Sequence, residues 1–134
     1  ARLSLEGRSA ELTALVDTGN TLTDPVSGRP VMVAEGESLA ALFPREHRPG
    51  PGDLRDPAGA VERLGTGHWR SRFRLLPYRC VGVECGLLLA LRVDEARLGE
   101  QDVGPLLVAL SPTPVSDGGG YRALVGPLDG KDGA

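Results

Sequence analysis

The most informative segment of this chain reads Ala14-Leu15-Val16-Asp17-Thr18-Gly19. Its three consecutive apolar residues predict a short strand that is buried on both faces. An ionised carboxylate at the end of a dry strand is costly unless partner groups offset its charge. Thr18 and Gly19 permit a tight turn, and a glycine lets another backbone approach closely. We therefore predict a loop that presents Asp17 at the floor of a cleft, with Thr18 free to hydrogen-bond to a neighbouring loop.

A plain turn is the alternative interpretation of the same residues, because Asp and Gly are both favoured in turns. Asp17-Thr18-Gly19 alone favours that alternative. The apolar triplet before it favours an active-site loop, and so do the residues after it, which include Asn20, Leu22, Asp24-Pro25 and Pro30-Val31. For Asp24 itself two roles stay open, shaping a substrate cleft or forming a turn before Pro25, and the turn is favoured.

The composition is that of one ordinary globular domain. The chain has 134 residues, of which 40% are hydrophobic and 25% charged, with a net charge of -3. This length is enough to bury a core without support from disulfides or metals. A nucleic-acid-binding domain would usually show a basic face, so we expect no nucleic-acid partner.

The chain carries no sequence signal for a membrane span or for secretion. No apolar run approaches the roughly 20 residues that cross a bilayer, and no secretory leader opens the chain. The sequence begins at Ala1, without Met and directly in strand-like residues. We therefore expect a soluble piece of a longer protein.

Short apolar runs separated by turn residues predict an all-β barrel or sandwich with one short helix. We expect an opening hairpin whose returning strand runs over 11–16. The helix is predicted over Glu37–Leu42, capped by Ser38 and ended by Pro44. The other predicted strands cover 31–33, 71–78, 81–93, 106–110 and 121–125. We expect one domain over 1–128, with a long exposed loop at 44–67 and a disordered tail at 129–134.

The cysteines and histidines give little sign of a special site. Cys80 and Cys85 are too few for a disulfide framework and lack a flanking histidine. A reduced, cytosolic pair fits best. A zinc module would need His47 or His68 to converge on the cysteines from distant loops, so it is the weaker alternative. We expect no metal and no cofactor.

Three segments of the chain resemble the sporulation sigma-E-factor-processing peptidases. The first is Ala14–Val33, which contains Asp17-Thr18-Gly19-Asn20. The second is Leu76–Gly82 followed by Gly86–Ala90, and the third is Val108–Val125, with Ser111-Pro112 and Ala123-Leu124-Val125. Together they cover most of the chain outside 44–67. Three blocks in the same order are much more specific than the Asp17 triplet alone.

This resemblance implies a retropepsin-like aspartic protease fold, a closed β-barrel or sandwich with its active site at a homodimer interface. Asp17 would be the catalytic carboxylate, Thr18 a residue that hydrogen-bonds across subunits, and Gly19 a loop position that needs no side chain. Asn20 and Asp24 would contact substrate. Leu124-Val125-Gly126 is the candidate for the apolar segment beneath the catalytic loop. A flap over the cleft is expected within Phe73–Leu88.

The chemistry of the aspartic peptidases also calls for a homodimer. Two carboxyl groups about 3 Å apart share one proton, one acting as base and the other as acid. This chain carries one such aspartate, and a two-lobed monomer would need about twice its length. A two-fold dimer is therefore the economical arrangement.

The resemblance further implies a biological setting. The expected activity is removal of the N-terminal pro-sequence from a sporulation sigma factor, in response to a signalling protein from the forespore. The full-length protein would be held by an N-terminal membrane segment absent from this sequence, on the mother-cell side of the sporulation septum, at the cytoplasmic face. A retropepsin-like module that dimerises or binds peptides without cutting them is the alternative.

Overall fold

The computed structural model describes residues 1–17, 19, 22–80, 83–116 and 118–127, without the side chains of 79, 80 and 83–85. Strands dominate this part of the chain, as the sequence predicts. They are β1 Arg2–Leu5, β2 Arg8–Glu11, β3 Ala14–Val16, β4 Met32–Glu35, β5 Phe73–Cys80, β6 Val83–Val93, β7 Glu95–Leu98, β8 Gln101–Asp102, β9 Leu106–Ser111 and β10 Ala123–Val125.

These strands form two open sheets. A four-stranded antiparallel sheet has the order β2-β1-β7-β8, and a six-stranded mixed sheet has the order β3-β10-β4-β9-β6-β5. In the larger sheet, β3 runs parallel to β10 and β4 parallel to β9. The expected closed barrel is wrong for the described residues, because β3 and β5 form opposite edges of the larger sheet. Closure would require those two edges to pair.

The opening hairpin forms as predicted, but its second strand is shorter than expected. β1 and β2 are joined at Glu6 and Gly7, which both take positive φ, 51° and 84°. Such two-residue turns match the twist of paired strands. β2 ends at Glu11, and Ala14–Val16 belongs to the other sheet. The predicted continuous strand over 11–16 is therefore wrong, and this change of sheet places the strand before Asp17 at an edge.

The main core lies between the two sheets. Alternate strand residues point into it, as Leu3 and Leu5 do on β1 and Met32 and Ala34 on β4, all fully buried. Full burial of a leucine side chain contributes about 1.5–3 kcal/mol to folding. The other fully buried strand residues of this cluster include Leu89, Leu91, Val93, Ala96, Val108, Leu110 and Ala123.

The segment 44–67 is not the long exposed loop that its Pro and Gly content predicts. It contains α-helices α1 Pro51–Arg55 and α2 Pro57–Leu64, and a 3-10 helix at Arg45–His47. Ala60 and Leu64 of α2 are buried in the main core. The expectation failed because short helices that begin at Pro51 and Pro57 use proline at a position where its missing N–H costs nothing.

The helix predicted over Glu37–Leu42 is present as a 3-10 helix, Gly36–Leu42. Ser38 does not cap it. Its Oγ instead donates a 2.6 Å hydrogen bond to the carbonyl oxygen of Glu35, the residue that occupies the N-cap position. A further 3-10 helix, Gly67–Ser71, leads into β5.

A smaller apolar cluster covers the second face of the six-stranded sheet. Val31, Leu76, Ala90, Leu107 and Ala109 form its buried part, and Leu22, Val33 and Leu88 pack against it. The segment 22–31, which precedes β4, therefore lies over this face. This packing connects the segment 22–31 to β5, β6 and β9.

Candidate active site

Asp17 lies at the carboxyl end of β3 and is held there by the neighbouring strand. Its backbone N–H donates a 2.8 Å hydrogen bond to the carbonyl oxygen of Val125. The parallel register pairs Val16 with Val125 and Leu15 with Leu124. Oδ1 of Asp17 accepts a 2.9 Å hydrogen bond from the N–H of Gly19, which closes a tight turn. The backbone of Asp17 is thus held by β10, and its carboxylate is oriented by the N–H of Gly19.

The strand before Asp17 is exposed, which contradicts the prediction that it is buried on both faces. Leu15 is 42% and Val16 62% exposed. In the described residues β3 is an edge strand whose one neighbour is β10. The apolar triplet predicts burial correctly for an interior strand, but it cannot tell whether the chain itself supplies the covering surface.

The segment Leu124-Val125-Gly126 lies directly against the Asp17 loop. Its strand, β10, is sandwiched between β3, to which it runs parallel, and β4, to which it runs antiparallel. Val125 and Gly126 are buried. The family resemblance implies a position beneath the catalytic loop for this segment, and in the described structure it lies beside Asp17.

An open apolar cavity of about 450 Å³ lies next to the exposed edge. Val16, Val125 and Pro127 line it from the six-stranded sheet, and Leu98 and Gln101 line it from the four-stranded sheet. Its size is within the range of about 300–1,000 Å³ that is usual for ligand pockets. The edge strand and this cavity together form an apolar surface beside Asp17.

The chain after the Asp17 loop folds into a small turn, the 22–31 turn. The N–H of Val31 donates to the carbonyl oxygen of Leu22 over 3.0 Å, and the N–H of Asp24 to that of Arg29 over 2.8 Å. The N–H of Gly28 donates to the carbonyl oxygen of Asp24 over 2.7 Å. Asp24 is therefore a turn residue, the role that the sequence favours.

Asp24 also holds a buried ion pair. It is 4% exposed and is the one charged residue buried in the described part of the chain. Oδ1 accepts a 2.9 Å hydrogen bond from the N–H of Val26 and lies 3.3 Å from Nη1 of Arg74 on β5. Burial by itself raises the pKa of this carboxyl, but the Val26 amide, the Arg74 guanidinium and Ser27 together lower it below its ordinary value of 3.8.

Arg74 was not among the predicted site residues, and no local pattern marks it. It lies 50 positions from Asp24 and belongs to the Arg-rich stretch over 70–74. Its role depends on the fold, because β5 and the 22–31 turn meet on the same face of the six-stranded sheet.

Comparison with known proteins places the chain in a family. The family model described as "Sporulation factor SpoIIGA" matches residues 1–128. The chain belongs to this family. The resemblance seen in the three sequence segments is therefore confirmed.

Three curated relatives carry matching names. The sporulation sigma-E factor-processing peptidase of Priestia megaterium is 32% identical over 132 residues, which are 92% of this chain and 41% of that protein. The corresponding protein of Bacillus subtilis is 28% identical, over 95% of this chain and 43% of its own. A putative sporulation sigma factor-processing peptidase of Bacillus thuringiensis subsp. kurstaki is 29% identical, over 94% of this chain and 80% of its own.

The SpoIIGA-family segment described here spans about two fifths of the Priestia megaterium and Bacillus subtilis relatives. No solved structure is a significant match to it. None of the helices in the described part of the chain has the length and hydropathy of a membrane span.

Two of the predicted site residues of this SpoIIGA-family chain, Thr18 and Asn20, lie outside the described residues, so their roles stay predictions. The predicted flap region coincides with the hairpin of β5 and β6, which pair antiparallel with an irregularity between Tyr78 and Arg79. Leu75 and Leu87 on this hairpin are 38% and 42% exposed. The hairpin therefore presents apolar side chains to solvent.

Both histidines of this SpoIIGA-family chain contact residues that are distant in sequence. Nδ1 of His47 hydrogen-bonds to the carbonyl oxygen of Leu64 over 2.8 Å, and its ring stacks on Trp69 at 5.0 Å. Nε2 of His68 lies 3.0 Å from Oε1 of Glu6. The side chains of Cys80 and Cys85 lie outside the described residues. Within the described residues no group of three or more His, Cys, Asp or Glu side chains is placed to hold a metal ion.

Proposed function

We propose that this chain is the catalytic domain of an aspartic endopeptidase whose active site is completed by a second copy of the chain. The observation that carries the proposal is the position of Asp17, at the end of an exposed apolar edge strand and hydrogen-bonded through its backbone to Val125. The relatives are named as processing peptidases, which supports a proteolytic activity.

A retropepsin-like arrangement accounts for the surroundings of Asp17. In such folds the catalytic loop lies beside an apolar-apolar-Gly segment, and the pairing of Leu124 and Val125 with β3 supports that role for Leu124-Val125-Gly126. The N–H of Gly19 donates to Oδ1 of Asp17, so the turn orients the carboxyl group. Thr18 is proposed to hydrogen-bond to the loop of the second copy.

One aspartate alone does not make this catalytic centre, which is why we propose a two-fold dimer. Peptide hydrolysis by aspartates needs two carboxyl groups that share one proton. Leu15 and Val16 are exposed beside Asp17. A second copy that covers them would bring its own Asp17 next to the first, at the two-fold axis of the dimer. An isologous contact of this kind uses the same patch on both partners.

The proposed reaction is general acid–base hydrolysis of a peptide bond. The ionised carboxylate of the pair takes a proton from a water molecule, which attacks the carbonyl carbon of the substrate. The protonated carboxyl group donates a hydrogen bond to the oxygen that develops negative charge. Collapse of the tetrahedral intermediate breaks the C–N bond, and a carboxyl proton is transferred to the leaving amine. The pair then returns to its singly protonated state.

The proposed substrate is the inactive precursor of a sporulation sigma factor, from which the enzyme removes the N-terminal pro-sequence. The names of the three relatives support this assignment. By family resemblance we further propose that a signalling protein from the forespore activates the enzyme. The full-length protein would work at the cytoplasmic face of the membrane, on the mother-cell side of the septum.

The test is cleavage of a pro-sigma factor by the full-length protein and its Asp17→Asn variant. We expect a loss of about 10³-fold or more, because the amide can neither hold nor donate the shared proton. Asp102→Asn is the matched control, since Oδ1 of Asp102 accepts a hydrogen bond of 3.0 Å from Gly104 in an equivalent turn. Undiminished cleavage by Asp17→Asn would leave the alternative, a module that dimerises or binds peptides without cutting them.

A further inference from the structure

The 22–31 turn is closed on itself and packed against the β5–β6 hairpin. The N–H of Val31 donates to the carbonyl oxygen of Leu22. The turn contacts β5 and β6 through Leu22, in the apolar cluster with Leu76 and Ala90, and through the Asp24–Arg74 pair. Asp17, which precedes the turn along the chain, is held separately by Val125 of β10.

Direct contact between Asp24 and a substrate fits these surroundings poorly. Its carboxylate already accepts a hydrogen bond from Val26 and pairs with Arg74. The cavity beside Asp24 has a volume of about 50 Å³, whereas ligand pockets span roughly 300–1,000 Å³.

The Asp24–Arg74 ion pair can hold the 22–31 turn in place. A carboxylate that is 4% exposed is stable only when paired and hydrogen-bonded, so removing one partner leaves an uncompensated charge. Because Arg74 lies on β5, any displacement of the turn from β5 must break this pair. The contact thus resists movement of the turn away from the hairpin.

We propose that Asp24 is a positioning residue, which with Arg74 holds the 22–31 turn against the base of the β5–β6 hairpin and so fixes the width of the substrate cleft. This inference rests on the proposed function, and it changes the role of Asp24 from substrate ligand to anchor. Asp17 is held separately by Val125. The pair therefore acts on substrate affinity more than on the chemical step.

A double-mutant cycle on the full-length protein tests the proposal. Asp24→Asn keeps an oxygen for the Val26 amide but removes the charge, and Arg74→Gln removes the opposite charge. Each variant is expected to raise KM for the pro-sigma factor about tenfold, the size of one lost hydrogen bond to a charged group, with a smaller change in kcat. The double variant is expected to be no worse than either single variant, because both remove the same contact.

Conservative and neighbouring substitutions complete the design. Arg74→Lys keeps a cation opposite Asp24, and the pair has a single short contact, so KM is expected to stay within about threefold. Arg92→Gln removes an exposed arginine that lines the same small cavity from β6, and it should leave KM unchanged. Two outcomes would overturn the proposal in favour of substrate contact. In the first, the increases in KM of Asp24→Asn and Arg74→Gln add up in the double variant. In the second, only Asp24→Asn raises KM.

Hydrogen exchange separates this inference from the proposed function. In both charge-removing variants, the amides of Asp24, Gly28 and Val31 are expected to exchange faster than in the wild type, while those of β9 stay protected. Unchanged exchange at these three amides would refute the anchor whatever the kinetics show. If the wild type cleaves no substrate, the proposed function fails, and the exchange comparison still decides whether Asp24 holds the turn.

Discussion

The backbone N–H of Asp17 donates a 2.8 Å hydrogen bond to the carbonyl oxygen of Val125, across 108 positions of sequence. This bond continues the parallel pairing of β3 and β10 by one residue beyond Val16. As a result, the last hydrogen bond between β3 and β10 also attaches the proposed catalytic loop to the sheet. Perturbation of the edge strand should therefore reach Asp17 directly.

Val16→Arg tests whether the exposed edge strand is a dimer interface. Val16 is 62% exposed, so an arginine is accommodated in the single chain, but in a two-fold contact it would bury two like charges. We expect association to weaken at least about tenfold, since juxtaposed like charges cost several kcal/mol. Analytical ultracentrifugation of the full-length protein measures association, and cleavage should fall in parallel.

Val26→Arg is the control for that substitution. Val26 is 80% exposed, on the 22–31 turn rather than on the edge strand. The same chemical change there should leave association intact. If Val16→Arg and Val26→Arg sediment alike and both retain activity, the second copy does not bind at β3.

Trp69→Ala tests the buried aromatic cluster against which the segment 44–67 packs through the ring of His47. Trp69 is 2% exposed, and its ring lies 5.9 Å from Phe43 and 5.8 Å from Phe73. Truncation of a buried aromatic residue costs about 3–5 kcal/mol. Urea unfolding should show that loss. His68→Ala changes the adjacent exposed ring and should cost less than about 1 kcal/mol; equal effects of the two variants would contradict the packing described.

Acid should destabilise the folded chain through three aspartates. The Val26 amide and Arg74 lower the pKa of Asp24 against the effect of burial, the Gly50 amide and Arg63 do the same for Asp53, and Arg72 lowers the pKa of Asp94. Each folded pKa lies below the ordinary value of 3.8. Their stabilisation is complete above that value and disappears as the pH falls toward the folded pKa values.

The melting temperature measured from pH 7 down to about pH 2 should therefore fall below about pH 4. Asp24→Asn should lower stability at pH 7 and flatten the acid part of the curve, because the contribution it removes is absent at low pH in both proteins. A wild-type melting temperature that stays constant between pH 4 and pH 2 would show that these carboxyl groups carry no folding energy.

Much of the strand content was predictable because period-two alternation and turn residues are local properties. Leu106–Leu110 reads as a buried strand and is one, and Arg2–Leu5 forms the expected hairpin with Arg8–Glu11. The sequence did not predict the helices of 44–67, because a high content of Pro and Gly is typical of loops. Proline at the first position of a helix, however, favours the helix. The burial of Trp69 contributes to the free energy of folding, and no local sequence pattern predicts that burial.

The sequence by itself determined that Asp17 ends an apolar strand and that a tight turn follows, because both depend on neighbours within a few positions. Only the tertiary structure decided that this strand is an exposed edge, that β10 holds it, and that Arg74 pairs with Asp24. The physical reason is that burial and ion pairing depend on which segments meet in space. Leu15 and Val16 have the sequence of a buried strand and lack cover in the described chain, which is the feature that a second copy would satisfy.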